Sequence, residues 1–481
     1  MTDSQSEFDL EEQAETYPFP ILSWLAVIAV IALIINPSLF FPKPAKAENG
    51  QDEKKPAPAA EPLAAETMVV KLYWGMQIVA NTDPKALMDQ LTKAISEKDS
   101  RQKLAISLVE ALVIGPQEAL TRLDSMAEQV KGTPLEKSFN TASGWIGRLK
   151  TDPKASIEEA PREELASRVG WFASIPGNEP APVKDPKFWL DQPDTFYGGM
   201  VRYALRTSAL MLLGFCAFLV GIGMFLYFLM LASRGPLGPG LASLAEGQAL
   251  SAMMMQTFAI WFVGYFALSF LFGAVIIPRV GMNGLLAGIM IQVLSLAAAF
   301  WPLVRGVPLR VMLEQIGLDR DVGSPREIVI GILAVIAYWP VLLFLAIVTV
   351  VLMQGFPEVE KPTHPIGPQL LHGSRADWIL AFITAVILAP IVEEVFFRGF
   401  LYRHLHETSF GAGHGAAVIL SVGLSSLMFA IVHPQGVLGL PLLGGLGALF
   451  GFLRQTRDNL TASIAAHSFN NCLVILLVSF V

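Results

Sequence analysis

Beyond residue 206 the chain holds six long runs without a single Lys, Arg, Asp or Glu: 207–233, 247–278, 280–304, 328–357, 408–453 and 459–481. Each is longer than the roughly 20 residues an α-helix needs to cross a bilayer. The 408–453 run is long enough for two passes, broken near "HPQG". Residues 378–400 supply one further span, although this one carries charge. The reading is about eight spans from residue 200 to the end, with a ninth at 16–42, where again no charge falls. A composition of 53% hydrophobic and 16% charged residues is too apolar for an ordinary soluble protein. The fold class expected is an all-α polytopic membrane protein.

The acidic tail at 1–18 has no Lys or Arg and so lacks the basic start of a secretory signal. "AKA" at 45–47 resembles a cleavage site, but the apolar run is long, and 19–41 reads as an uncleaved transmembrane anchor. Residues 42–66, rich in Pro, Ala, Lys and Glu, read as a solvated linker. Residues 67–175 carry helix starts such as "NTDPKALMDQL" and "GPQEALTRL", each with a proline in the first turn. They read as a small soluble α-helical domain with Leu120, Leu123 and Met126 at helical spacing. That domain contains no His and no Cys, so its default role is to meet a protein partner. Residues 176–202, with several prolines, Trp189 and Tyr197, read as an interfacial connection, and 203–481 as the membrane core. Arg residues in the short loops favour a cytoplasmic N-terminus and an external helical domain in a plasma or inner membrane, although Lys43 and Lys46 oppose this locally. Cys216 and Cys472 fall in apolar spans, and no basic block suggests nucleic acid.

All seven histidines lie between 364 and 467. His433, in "SSLMFAIVHPQG", and His467, in "TASIAAHSFNNCLVILL", have strongly apolar surroundings. Glu393, Glu394 and Arg398 interrupt another span in "APIVEEVFFRGFLYRHLHE". Titratable groups are expensive inside a bilayer, which makes each a functional candidate. Glu394 and Arg398 are four apart, share a helix face and can pair. Glu393 is turned about 100° away from its neighbour and need not be neutralised by that pair. His467 and Asn471 share a face, as do Phe429 and His433. A carboxylate beside an imidazole can hold and deprotonate a water, while a second imidazole and an amide can hold an oxyanion. Those are the parts of a peptide-bond hydrolase that works without a covalent nucleophile. Each also has a plainer reading: a structural ion pair, a helix-end histidine, interhelical glue. On that alternative the protein is a membrane scaffold acting through its soluble domain. In "RHLHE", His404 and His406 are two apart and read as solvated helix-end residues rather than a metal site. No HExxH occurs. His364, His372 and His414 lie in loop-like contexts.

The order "EEVFFR" (393–398), "FAIVH" (429–433) and "HSFNN" (467–471) on successive apolar spans resembles the type II CAAX prenyl endopeptidases, also called the CPBP or Abi family of intramembrane proteases. The motif-bearing part covers roughly 374–481, and the spans from about 203 complete an eight-helix core of that family's kind. The anchor, linker and helical domain are additions. The resemblance implies that Glu393, helped by His433, activates water, that Glu394 and Arg398 order the site, and that His467 and Asn471 form the oxyanion hole. It leaves both metal-dependent and metal-free chemistry open: Glu393, His433 and His467 could supply three ligands to a divalent ion such as zinc, with an open fourth position. The partners implied are the lipid bilayer and a membrane-associated protein or peptide substrate. Geometry poses a difficulty. At about 1.5 Å per residue, Glu393 lies about 21 Å from a helix end at 407, His433 about 30 Å from a start at 413, and His467 only about 12 Å from a start at 459. Straight helices would stagger these groups, so tilt, a longer 407–417 loop or a kink near Pro434 is required.

Overall fold

A computed structural model describes residues 20–35, 63–80, 83–95, 99–178, 188, 191–192, 194–235, 241, 247–319, 321–356, 359, 370, 373–409, 411 and 413–478. The acidic tail, nearly all of the linker, His364 and His372 lie outside them. Every regular element among the described residues is helical. Packing divides the chain into two units. One takes the described residues of Met1–Lys46 and Cys216–Ser479, the other those of Ala47–Phe215.

The first unit opens with α1 (Pro20–Ile35), an apolar helix without an ionisable residue. The second unit holds α2 (Ala64–Ala80), α3 (Pro84–Ala94), α4 (Ser100–Val113), α5 (Pro116–Asp124), α6 (Ala127–Val130), α7 (Glu136–Leu149) and α8 (Glu159–Val169). Helix α3 starts where Asp83 accepts from the Lys85 N–H beside Pro84, which satisfies a donor that the helix start leaves free. Asp99 and Gln102 form a reciprocal capping box on α4. Gly115, ahead of α5, offers no side-chain cap, and the chain breaks after Asp124. Met126 therefore lies between α5 and α6 rather than inside one long helix, yet it is fully buried with Leu123. Trp145 is the largest buried side chain of this unit, and its Nε1 donates to the Ala155 carbonyl at 2.8 Å.

Helix α9 (Phe196–Ala232) starts inside the stretch read as an interfacial connection. It is followed by α10 (Leu250–Val280), α11 (Gly284–Val304), the short α12 (Leu309–Ile316), α13 (Pro325–Gly355), α14 (Arg375–Ser409), α15 (His414–Ile431), α16 (Gly436–Arg457) and α17 (Thr461–Val478). All of these except α12 and α17 are long and apolar enough to cross a membrane. Together with the shorter apolar helices α1 and α17 they account for each expected span. The chain is an integral membrane protein of all-α class. Large apolar side chains on α9 and α13, such as Leu213, Phe215, Phe344 and Val351, face outward, the pattern lipid contact requires.

Around the site the helices approach closely. A Cβ on Gly331 of α13 would overlap the Ala462 carbonyl oxygen of α17 and touch the Ala465 side chain. Small residues permit this approach, and dispersion between the backbones then holds the pair. Gly331→Ile is expected to cost about 1–3 kcal/mol through overpacking, read as a lower unfolding midpoint of the detergent-solubilised protein. The change at Gly444, whose Cβ would meet open space, is expected to be far milder.

Candidate active site

Helix α14 carries two π-helical stretches, Ile383–Leu388 and Glu394–Leu401. In the first, the Ala389 N–H reaches five residues back to the Thr384 carbonyl. The next residue, Pro390, has no N–H to give, so the Ala385 carbonyl loses its partner in a setting without bulk water. Asn471 of α17 replaces it: its Nδ2 donates to Ala385 O at 2.8 Å. The Asn471 oxygen accepts from Asn470 Nδ2 at 3.3 Å. One amide hydrogen of Asn471 is thus committed to holding α14 beside α17.

Next along α14, Glu394 and Arg398 are fully buried and pair at 3.1 Å. Arg398 also donates to the Gly447 carbonyl of α16 at 3.0 Å. Its guanidinium lies 4.5 Å from the centre of the Phe429 ring and 5.4 Å from that of Phe450, so cation–π attraction replaces part of the lost hydration. His467 donates from Nδ1 to the same Glu394 oxygen at 3.0 Å, and its ring stacks on Phe450 at 4.7 Å. Through Glu394 and Arg398, helices α14, α15, α16 and α17 are locked in one register. On aromatic faces, Trp261 of α10 stacks on Phe396 at 4.5 Å, holding the opposite side.

Glu393 stands outside this lock. His433, in the turn after α15, donates from Nδ1 to the Phe429 carbonyl at 2.6 Å. Its Nε2 then points to Glu393 Oε2 at 3.7 Å, and the Nε2 of His467 reaches the same oxygen at 3.9 Å. That oxygen is buried and has no hydrogen-bond partner. The separations are too long for direct hydrogen bonds and suit one intervening water. A cavity of about 100 Å³ opens here, lined by Glu393, His433, Trp261, Tyr265, Phe397 and Gln292. A buried water needs roughly 10–15 Å³ on this measure, so the cavity has room for several. Sequence reasoning did not single out Gln292. Its signal is a single amide in the apolar stretch "GIMIQVLS", with no charge, histidine or motif beside it.

The stagger is resolved by where α17 begins. Leu460 N bonds the Gly317 carbonyl at 3.0 Å, and Gly317, with φ +79°, abuts Asn459 and Arg454. Gly399 packs on Ile316, the residue before Gly317, and Arg454 Nε donates to the Arg398 carbonyl. The start of α17 is therefore level with residue 399 rather than 407. From that level Glu393 is about 9 Å away and His467 about 12 Å, at the ordinary helical rise. His433 reaches the same depth because Ser426 is level with Gly447, against which it packs. Pro434 sits in the turn between α15 and α16 and kinks neither.

The histidines of "RHLHE" differ from expectation. Both His404 and His406 are buried, because α14 continues to Ser409 and is covered by α15 and α10. His404 Nδ1 lies 2.9 Å from the Ser251 hydroxyl and carbonyl, and Trp24 of α1 donates to its Nε2 at 3.3 Å. This contact ties the N-terminal helix to the core. Among the described residues no group of three or more His, Cys, Asp or Glu side chains is disposed to hold a metal ion. Glu393, His433 and His467 are not disposed as such a group: the two Nε2 atoms lie 3.7 and 3.9 Å from Glu393 Oε2.

Arg398→Ala would leave Glu394 buried without its cation, and is expected to lower stability by about 3–5 kcal/mol. Unfolding in detergent would read this. Asn471→Leu is expected to cost about 1–3 kcal/mol by orphaning the Ala385 carbonyl. Most of that cost should vanish in a Pro390→Ala background, where a backbone N–H is restored; equal losses in both backgrounds would contradict the assignment.

With the geometry in hand, comparison with known proteins is specific. No curated protein and no solved structure matches the chain. Residues 375–473, about a fifth of the chain and the part that holds all six site candidates, match the family model described as Type II CAAX prenyl endopeptidase Rce1-like. The chain therefore carries an Rce1-like domain on α14–α17, which points to a membrane endopeptidase.

Proposed function

We propose that this protein is an intramembrane endopeptidase that hydrolyses a peptide bond of a membrane-associated protein or peptide, with Glu393 as the general base. The observation that carries this reading is the buried, unpartnered Glu393 oxygen facing two Nε2 atoms at 3.7 and 3.9 Å. Both rings use Nδ1 as a donor, so in their neutral forms Nε2 is a lone pair. Two lone pairs and a carboxylate converging on one point suit a shared hydrogen donor, and water is the donor that a hydrolase needs.

In the reaction, Glu393 takes a proton from that water while His433 orients it. The water oxygen attacks the scissile carbonyl carbon, and the carbonyl oxygen becomes an oxyanion. In its doubly protonated form His467 donates to it from Nε2, its Nδ1 remaining on Glu394, and the water is then held by Glu393 and His433 alone. Asn471 has one Nδ2 hydrogen left for the same purpose, the other being held by Ala385 O. Collapse of the tetrahedral intermediate breaks the C–N bond, and the proton held by Glu393 passes to the leaving nitrogen. Arg398 and Glu394 touch no reacting atom; they fix His467 and keep Glu393 separate. The soluble unit has no part in this chemistry and is assigned to recruiting or regulating a partner outside the membrane.

Glu393→Gln keeps the shape of the side chain and removes the base. It is expected to leave the unfolding midpoint near wild type and to lower cleavage by at least about 100-fold, within the range of a lost general base. The measurement is the appearance of new protein N-termini in membranes of cells lacking the protein, after supplying either form. The same termini at equal abundance with both forms would contradict the assignment.

A further inference from the structure

We infer that Gln292 is a substrate-binding residue that hydrogen-bonds the backbone of the peptide held against Glu393; this rests on the endopeptidase reading above. Gln292 lies on α11, outside the stretch that matches the family model. It is 8% exposed, yet its Oε1 is buried without a hydrogen-bond partner. The side chain lines the same cavity as Glu393 and His433.

An orphaned amide oxygen in a membrane interior is costly, because nothing apolar compensates for lost hydration. Two nearby polar groups are already used. Trp261 Nε1 donates to the Ser295 hydroxyl, and that hydroxyl donates to the Gln292 main-chain carbonyl, not to its side chain. What Gln292 lacks is a partner that arrives from elsewhere.

A peptide segment entering this cavity has the opposite need. Each residue brings an N–H and a C=O that must leave water, and each left unsatisfied weakens binding. Of the residues lining the cavity, Glu393 and His433 are occupied with the attacking water. A carboxamide presents an acceptor and a donor side by side, the complement of a peptide group's N–H and C=O. Gln292, on the α10–α11 side, therefore clamps the main chain next to the scissile bond, while α14, α15 and α17 supply the chemistry. Main-chain recognition is blind to side chains, so it sets where the peptide lies rather than which sequence is cut.

The test uses the purified full-length chain in liposomes. The probe is a quenched fluorescent peptide spanning the most abundant new terminus from the membrane experiment above. Gln292→Met keeps the volume and removes the amide. Loss of a contact made equally in ground and transition states raises KM and spares kcat. The expected result is kcat/KM lower by about 10–100-fold, carried by KM, with an unfolding midpoint equal to or above wild type. A higher midpoint follows because the variant no longer buries an unpaired amide. Wild-type kcat/KM for Gln292→Met overturns the inference, as does lost activity that tracks a lowered midpoint. Glu393→Gln, run alongside, separates the two claims. If it still cleaves, or if wild type yields no new terminus, the endopeptidase reading fails and takes this one with it. If it is dead while Gln292→Met cleaves normally, only the role of Gln292 is lost.

Discussion

The membrane core depends on one buried ion pair. Glu394 and Arg398 are fully enclosed, and in that setting neither charge could persist alone. The arginine's two terminal nitrogens are met by the carboxylate and by the Gly447 carbonyl, and its plane by the faces of Phe429 and Phe450. Glu394 in turn receives His467. Because these partners come from four helices, satisfying the pair also sets the rotation and height of each helix. The consequence for function is a division of labour between adjacent carboxylates. One meets the arginine and an imidazole through Oε1; the next faces the cavity.

A second polar layer sets the depth. Arg454 is buried and bonded to the Arg398 carbonyl, the Gln315 carbonyl and Asp458. Arg457 holds the buried Glu327 of α13 with two hydrogen bonds, and Asn459 caps the start of α17 by accepting from Thr461 N and Ala462 N. These contacts raise the beginning of α17 into the bundle, so a histidine early in a short helix meets a glutamate in the middle of a long one. The π-helical stretch before Pro390 is part of the same design: the proline frees a carbonyl, and Asn471 takes it up.

Much of this was legible from the sequence, because the membrane imposes simple rules. Charge-free runs located every span except α14, whose apolar run carries charge, and ionisable residues inside apolar surroundings singled out Glu393, Glu394, Arg398, His433 and His467, which the fold brings to one place. Other features were not legible, for physical reasons. The burial of His404 and His406 depends on α10 and α15 covering α14, a tertiary contact that local hydrophobicity does not report. The height of α17 is decided by the turn at Gly317, far away in sequence. The bond from Asn471 to Ala385 answers a proline on another helix, so motif spacing offered interhelical glue as one reading without naming the partner. Gln292 carries no charge, and its meaning comes from what surrounds it.

The account turns on a water held between Glu393, His433 and His467. A high-resolution density map of the wild-type chain, with anomalous scattering recorded at the zinc edge, tests it most directly. The prediction is an ordered water within about 2.6–3.2 Å of Glu393 Oε2 and of at least one Nε2 atom, without anomalous signal. Anomalous density with donors at about 2.0–2.2 Å, or imidazoles turned away from Glu393 with the gap closed, would contradict it.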